Sequence, residues 1–141
     1  MEALKGLPGD WLAVSAMVLW GFWAFFVKLA LRDASSEPVL LLSYVVATFA
    51  ILIYAVNGAD DLFATVDNTV LKYTVTGGLF AGLGSVGYYL AIDAGAVAIA
   101  ATITGMYFVV STLLGVVILN EKISWRGIFG IVCAVLAVIM L

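Results

Sequence analysis

The chain has 141 residues, 65% of them hydrophobic and 11% charged, with a formal net charge of −3 and a mean hydropathy of +1.21. Soluble domains are about half apolar and a quarter charged, so composition argues against a water-soluble fold, and without a basic patch it argues against nucleic-acid partners. Histidine is absent, which removes the commonest general base and metal ligand. The lone Cys133 makes neither an internal disulfide nor a metal site, so no cofactor is expected.

Five apolar runs follow one another. The first, Trp11 to Leu31, is preceded by Pro8-Gly9-Asp10, with Asp10 as expected N-cap. It is too long for a signal-peptide core and carries Trp20, Trp23 and Lys28 where a cleavage site would need small residues, so it reads as a permanent span. Arg32 to Glu37 is a polar turn; Ser36 caps the second run, Pro38 to Val56, and Pro38 suits its first turn. Asn57 to Asn68 is the longest loop, with Asp67 or Asn68 capping the third run, Thr69 to Ile92. Asp93-Ala94-Gly95 is a tight turn into the fourth run, Ala94 to Leu119, so runs three and four are antiparallel neighbours. Asn120 to Ser124 is a second tight turn, with Ser124 capping the fifth run, Trp125 to Leu141.

A helix needs roughly 20 residues to cross about 30 Å of hydrocarbon, and all runs but the slightly short last one meet that length. Only helices satisfy their own backbone polar groups in lipid. The expected fold is therefore an all-α integral membrane protein, one domain over residues 1–141 with five transmembrane helices. Its first partner is the lipid bilayer.

Neither proline lies deep in a span, so glycine must supply close packing or flexibility. Gly78 and Gly82 are four apart in the third span, Gly105 stands in the fourth, and Gly127, Gly130, Ala134 and Ala137 share a face of the fifth. Small residues at this spacing let helices approach where lipid gives no hydrophobic drive. Gly78, Gly82 and Gly105 are also candidates for a rocking motion.

Five crossings put the termini on opposite sides. The N-terminal side carries Lys5, Lys72, Lys122 and Arg126; the other side carries Lys28 and Arg32. Positive residues favour the cytoplasm, so the N-terminus is expected inside. Because the bias is small, it permits insertion in both orientations and an inverted pair. Asp93 is placed to approach Lys28 or Arg32, and Glu121 to approach Lys72 or Lys5.

No carboxylate, lysine or arginine lies at mid-depth, which argues against proton coupling through a buried acid and against a phosphate clamp. What lies at depth is aromatic and hydroxylic. Trp20 and Trp23 are three apart in span one; Tyr88 and Tyr89 follow in span three; Thr104, Tyr107 and Ser111 form a stripe in span four; Ser43, Tyr44 and Thr48 stand in span two. Buried indole and phenol groups seek hydrogen-bond partners. Trp20, Trp23, Tyr88, Thr104, Tyr107 and Ser111 are therefore candidate lining for a cavity that holds a small neutral or zwitterionic molecule. Trp11 and Trp125 fit membrane interfaces instead, and serine and threonine also bond to their own helices.

Trp20-Gly21 followed by Lys28 resembles the first helix of EamA-type domains of the drug/metabolite transporter superfamily. The stretch from Ala91 to Leu141 resembles them more closely: a short turn, a span, Glu121 after it, the polar Ser124, then Gly127 opening a helix with further small residues. The resemblance implies a half-transporter repeat of five helices. Most members carry two such units related by an inverted repeat, and single-unit members must pair. It implies a cavity near the midplane that opens alternately to each side, lined by helices matching spans one, three and four, with the fifth packing unit to unit. The expected protein is a carrier for a small metabolite or drug-like solute, not an enzyme, acting as a homodimer in the cell (inner or plasma) membrane of a prokaryote. The chain departs from the family near Phe108, where members often carry a proline, so no kink is expected there. It also lacks the first-helix glutamate of the small multidrug pumps, whose cation export is not transferred. The competing reading is a structural or accessory subunit with no polar cavity.

Overall fold

The computed structural model describes residues 6–58 and 61–140. Lys5, counted above on the N-terminal side, and Leu141, the expected end of span five, lie outside the described residues. The chain is all-helical, with no strand among those residues. Four spans are long and apolar enough to cross a membrane: Gly9–Ala30, Ser36–Gly58, Asn68–Ala94 and Val97–Ile118. The shorter apolar helix Trp125–Ile139 follows. Two compact units are distinguished, Met1–Asp93 and Ala94–Leu141.

The first unit holds α1 (Gly9–Ala30), α2 (Ser36–Gly58) and nearly all of α3 (Asn68–Ala94). Pro8, not Asp10, occupies the N-cap position of α1. Its carbonyl accepts the Trp11 amide at 3.1 Å and the Leu12 amide at 3.3 Å. Asp10 lies inside the first turn, where its charge meets the positive end of the helix dipole. At the other end the Arg32 and Asp33 amides each reach back three residues, to Leu29 and Ala30, tightening the helix to its stop. α2 begins at Ser36, which is therefore its first residue and not the one ahead of it. Asp67 caps α3 as expected: its Oδ1 accepts the Val70 amide at 2.7 Å. α3 runs on through Asp93 and Ala94, so the turn after it shrinks to Gly95-Ala96.

Several serine and threonine hydroxyls inside the spans return to their own helices. Ser15, Thr48, Thr76, Ser85 and Thr102 each donate to the carbonyl four residues back at 2.7–2.8 Å. Ser85 also meets Tyr44 across from α2. Its one proton is directed to the Ala81 carbonyl, so the Tyr44 hydroxyl is the donor of that link.

The second unit holds α4 (Val97–Gly105), α5 (Tyr107–Ile118) and α6 (Trp125–Ile139). α4 and α5 form one span interrupted at Met106, where bonding tightens to three-residue steps: Met106 N–H to Ile103 at 3.1 Å, then Val109 N–H to Met106 at 2.9 Å. This corrects the expectation of an unbroken fourth helix. No proline is needed, because Gly105 stands beside the break and glycine holds helical geometry weakly. α5 ends where Asn120 takes φ 55°, a left-handed residue of the kind that terminates helices. The Leu119 and Glu121 amides both donate to the Gly115 carbonyl at 3.1 Å. The Glu121 carboxylate folds over the same glycine, so a Cβ there would lie 2.7 Å from Oε2. Ser124 caps α6 as expected, accepting the Gly127 amide at 3.2 Å.

The small residues divide into two kinds. A Cβ on Gly127 would press on Ile123 Cγ1 at 2.9 Å, so that glycine is required by its own turn. Around Gly78, Gly82, Gly105 and Gly130 nothing stands within 4 Å of where a Cβ would be. On α6, Gly127, Ile131, Ala134 and Val138 are half-buried, while Gly130, Cys133 and Ala137 are exposed.

Gly127→Ala presses its methyl on Ile123 Cγ1, an overpacking of the kind that costs about 1–3 kcal/mol. Gly78→Ala meets no atom and gains about 1 kcal/mol of helix propensity. Unfolding in mild detergent should therefore show Gly127→Ala less stable than Gly78→Ala; the reverse order would refute this turn geometry.

Candidate functional site

Among the described residues of the first unit, every buried one lies toward one end of its helices. They are Ala24, Val27 and Leu31 around the end of α1, Ser36 and Val39 at the start of α2, and Tyr88, Tyr89 and Ile92 near the end of α3. The opposite ends, residues 9–19, 50–58 and 68–84, contribute no buried residue. Ala24, Val27 and Leu31 recur at three- and four-residue steps, as do Tyr88, Tyr89 and Ile92, so each helix offers one stripe.

Trp23 links the two stripes. Its ring stacks on Tyr88 with centroids 5.3 Å apart and planes 28° apart, the offset arrangement that aromatic quadrupoles favour. It meets Tyr89 at 5.8 Å and 57°. Five residues on, the Lys28 amine donates to the Ile92 carbonyl at 2.7 Å. The last four carbonyls of a helix lack intrahelical partners, and a cation there also meets the negative end of the dipole. Residue numbers rise together along the contact, 23 with 88 and 89, then 28 with 92. Spans one and three therefore run the same way, as alternate crossings of one membrane must. At 1.5 Å per residue, Trp23 lies about 10 Å below the end of α1, and Tyr88 about 9 Å below the end of α3. The cluster thus sits about a third of the way across the hydrocarbon, off the midplane.

Tyr89 is wholly buried, and its hydroxyl has no hydrogen-bond partner among the described residues. A buried hydroxyl left unbonded costs about 1–3 kcal/mol. Trp23 is half-exposed and Tyr88 is buried.

Of the six expected lining residues, the structure brings Trp23 and Tyr88 together. Trp20, on the same helix, is 59% exposed and stands outside the ring cluster. Thr104, Tyr107 and Ser111 belong to the second unit, all exposed, with the break at Met106 dividing Thr104 on α4 from the other two on α5. The Ser111 hydroxyl donates to Phe108 at 3.1 Å. Tyr89 was visible in the sequence beside Tyr88, but which of two adjacent tyrosines turns inward depends on the facing helix. The Lys28–Ile92 bond could not be read from the sequence, because a backbone carbonyl carries no sequence signal. Surface grooves on α2, one lined by Leu41, Tyr44, Val45, Thr48, Phe49 and Leu52 and another by Ala50, Ile53, Tyr54 and Asn57, do not include the cluster. Among the described residues no group of histidine, cysteine, aspartate or glutamate is arranged to hold a metal.

Lys28→Met strips the Ile92 carbonyl of its donor, and a buried acceptor left unpaired costs about 1–3 kcal/mol. The variant is expected to lose that much stability, with faster amide exchange in the last turn of α3, while Lys28→Arg keeps most of it. Equal stability of Lys28→Met and the parent would remove this bond from the account.

No curated protein and no solved structure gives a significant match to the chain. The sequence profile of the EamA-like transporter family matches residues 7–141. With that match and its run of apolar membrane-spanning helices, the chain belongs to the EamA-like transporter family.

Proposed function

We propose that the protein is a carrier for a small neutral or zwitterionic metabolite or drug-like solute, working by alternating access as a homodimer. The observation that carries this reading is the one-sided burial of the first unit. Its helices are packed at the end that holds Lys28, Ser36 and Ile92 and exposed at the other, as expected of a carrier half closed on one side and open on the opposite one. The Trp23–Tyr88 pair lies at the floor of the closed end, where a solute entering from the open end would stop.

Other features support the reading. Gly105 adjoins the Met106 break, and a tightened step inside a helix often marks a hinge. The open Cβ positions of Gly78, Gly82 and Gly130 leave small-residue surfaces for a second copy to approach. No more than 17% of the most apolar stretch of any long span is buried within the chain, so lipid and the partner copy cover the rest. Two chains inserted in opposite orientations would rebuild a pair of inverted repeats. In the orientation the charges favour, the N-terminus is cytoplasmic, and the exposed end of the first unit then faces the cell interior. The carrier works as a multi-pass protein of the cell membrane of a prokaryote, without a cofactor and without catalysis.

Transport by vesicles from cells producing each variant tests the proposal. Tyr107→Ala, at an exposed site, and Trp23→Phe, which keeps an aromatic ring, should insert normally yet move solute at least about tenfold more slowly, the loss of roughly 1.4 kcal/mol of binding. Parent-like flux in both would count against these two residues as solute contacts. Tags on both termini should be reachable from both sides of the membrane; a single orientation would exclude the inverted pair.

A further inference from the structure

We propose that the Tyr89 hydroxyl is a hydrogen-bond donor to the transported solute, and hence that the solute pairs an apolar body with an acceptor oxygen, a carbonyl or a carboxylate. The assignment rests on the carrier reading of the same site and gives that site a chemistry. Tyr89 is 0% exposed, and its hydroxyl oxygen is enclosed with no partner among the described residues. The hydroxyls of Tyr44, Thr48, Thr76, Ser85, Thr102 and Ser111 are bonded, and among the described residues that are not exposed only the Tyr89 hydroxyl is both enclosed and unbonded. A phenylalanine would fill the same space without a polar atom, so packing does not account for the hydroxyl.

The surroundings select an acceptor. A phenol offers one strong donor, and Lys28, five residues beyond Trp23 on α1, already donates to the Ile92 carbonyl one turn along α3 from Tyr89. The phenol oxygen can accept a solute N–H, but that bond leaves the enclosed hydroxyl proton unpaired. A solute with an acceptor oxygen completes Tyr89, and its apolar body lies against the Trp23 ring. Trp23 is the one member of the ring cluster that keeps substantial exposure, so displacement of its ring opens the way to the hydroxyl. Solute binding should therefore alter Trp23 emission.

The test uses purified full-length protein in lipid vesicles, with Trp11, Trp20 and Trp125 replaced by phenylalanine so that Trp23 alone reports. Three probes share a phenylpropyl body: hydrocinnamate with a carboxylate, hydrocinnamamide with a neutral carbonyl, and phenylpropylamine with donors only. At least one acceptor probe should bind about tenfold more tightly than the amine. Tyr89→Phe should abolish that advantage, leave the amine's affinity unchanged and melt no lower than the parent, while the remote Tyr54→Phe changes nothing. A larger loss for hydrocinnamate identifies a carboxylate as the natural acceptor, and a larger loss for hydrocinnamamide a neutral carbonyl. Equal affinities for all three probes, no binding of any, unchanged acceptor affinity in Tyr89→Phe, or a lowered melting temperature in that variant would each overturn the assignment. Tyr89-dependent binding without solute flux would end the carrier reading alone; flux with Tyr89-independent affinity would end the subsite alone.

Discussion

Hydrocarbon offers no hydrogen bonds, and that single property orders the structure. Every backbone polar group in a span must be bonded, and for continuous apolar runs of this length the helix is the form that does so. Several serine and threonine hydroxyls obey the same demand by turning back on their own carbonyls. Helix ends are where the demand cannot be met internally, and the chain answers there with particular groups: Asp67 at the start of α3, Lys28 at its end, Ser124 at the start of α6, and Asn120 with Glu121 behind α5.

Few polar or aromatic links therefore join helices in the first unit, and those few fix its geometry. Tyr44 meets Ser85, Trp23 meets Tyr88 and Tyr89, and Lys28 meets Ile92. All lie toward the same end, and the depths agree. Tyr44 is about 12 Å from the start of α2 and Ser85 about 13 Å from the end of α3 at the usual rise per residue, which antiparallel neighbours require. A bundle pinned at one end is free to separate at the other. That asymmetry is the mechanical content of the carrier proposal: the pinned end holds the aromatic floor, and the unpinned end admits solute.

The sequence was most legible where lipid dictates the answer. Span positions agree to within a few residues, and Asp67 and Ser124 cap as their positions require, because a side-chain oxygen ahead of a helix has one good use. Asp10 was misplaced because the Pro8 carbonyl could accept the first amides without any side chain. The fourth span breaks at Met106 although no proline stands near Phe108, because Gly105 loosens the same stretch more quietly. At the site, Trp23 and Tyr88 were legible as deep aromatics. The inward turn of Tyr89, the Lys28–Ile92 bond and the Glu121 fold over Gly115 were not, since each depends on which backbone atom a neighbouring segment presents. Periodicity reports the face of a helix but not the partner it meets.

The most direct test of the account is whether water reaches the aromatic floor from the unpinned end. With Cys133→Ser as background, Trp23→Cys and Tyr88→Cys should react with a membrane-impermeant thiol reagent in the copies whose N-termini face it, and Phe25→Cys, on the far face of α1, should not. Silence at both floor positions from either side of the membrane, or labelling of all three alike, would mean that no hydrated path leads to Trp23 and that the transport site lies elsewhere.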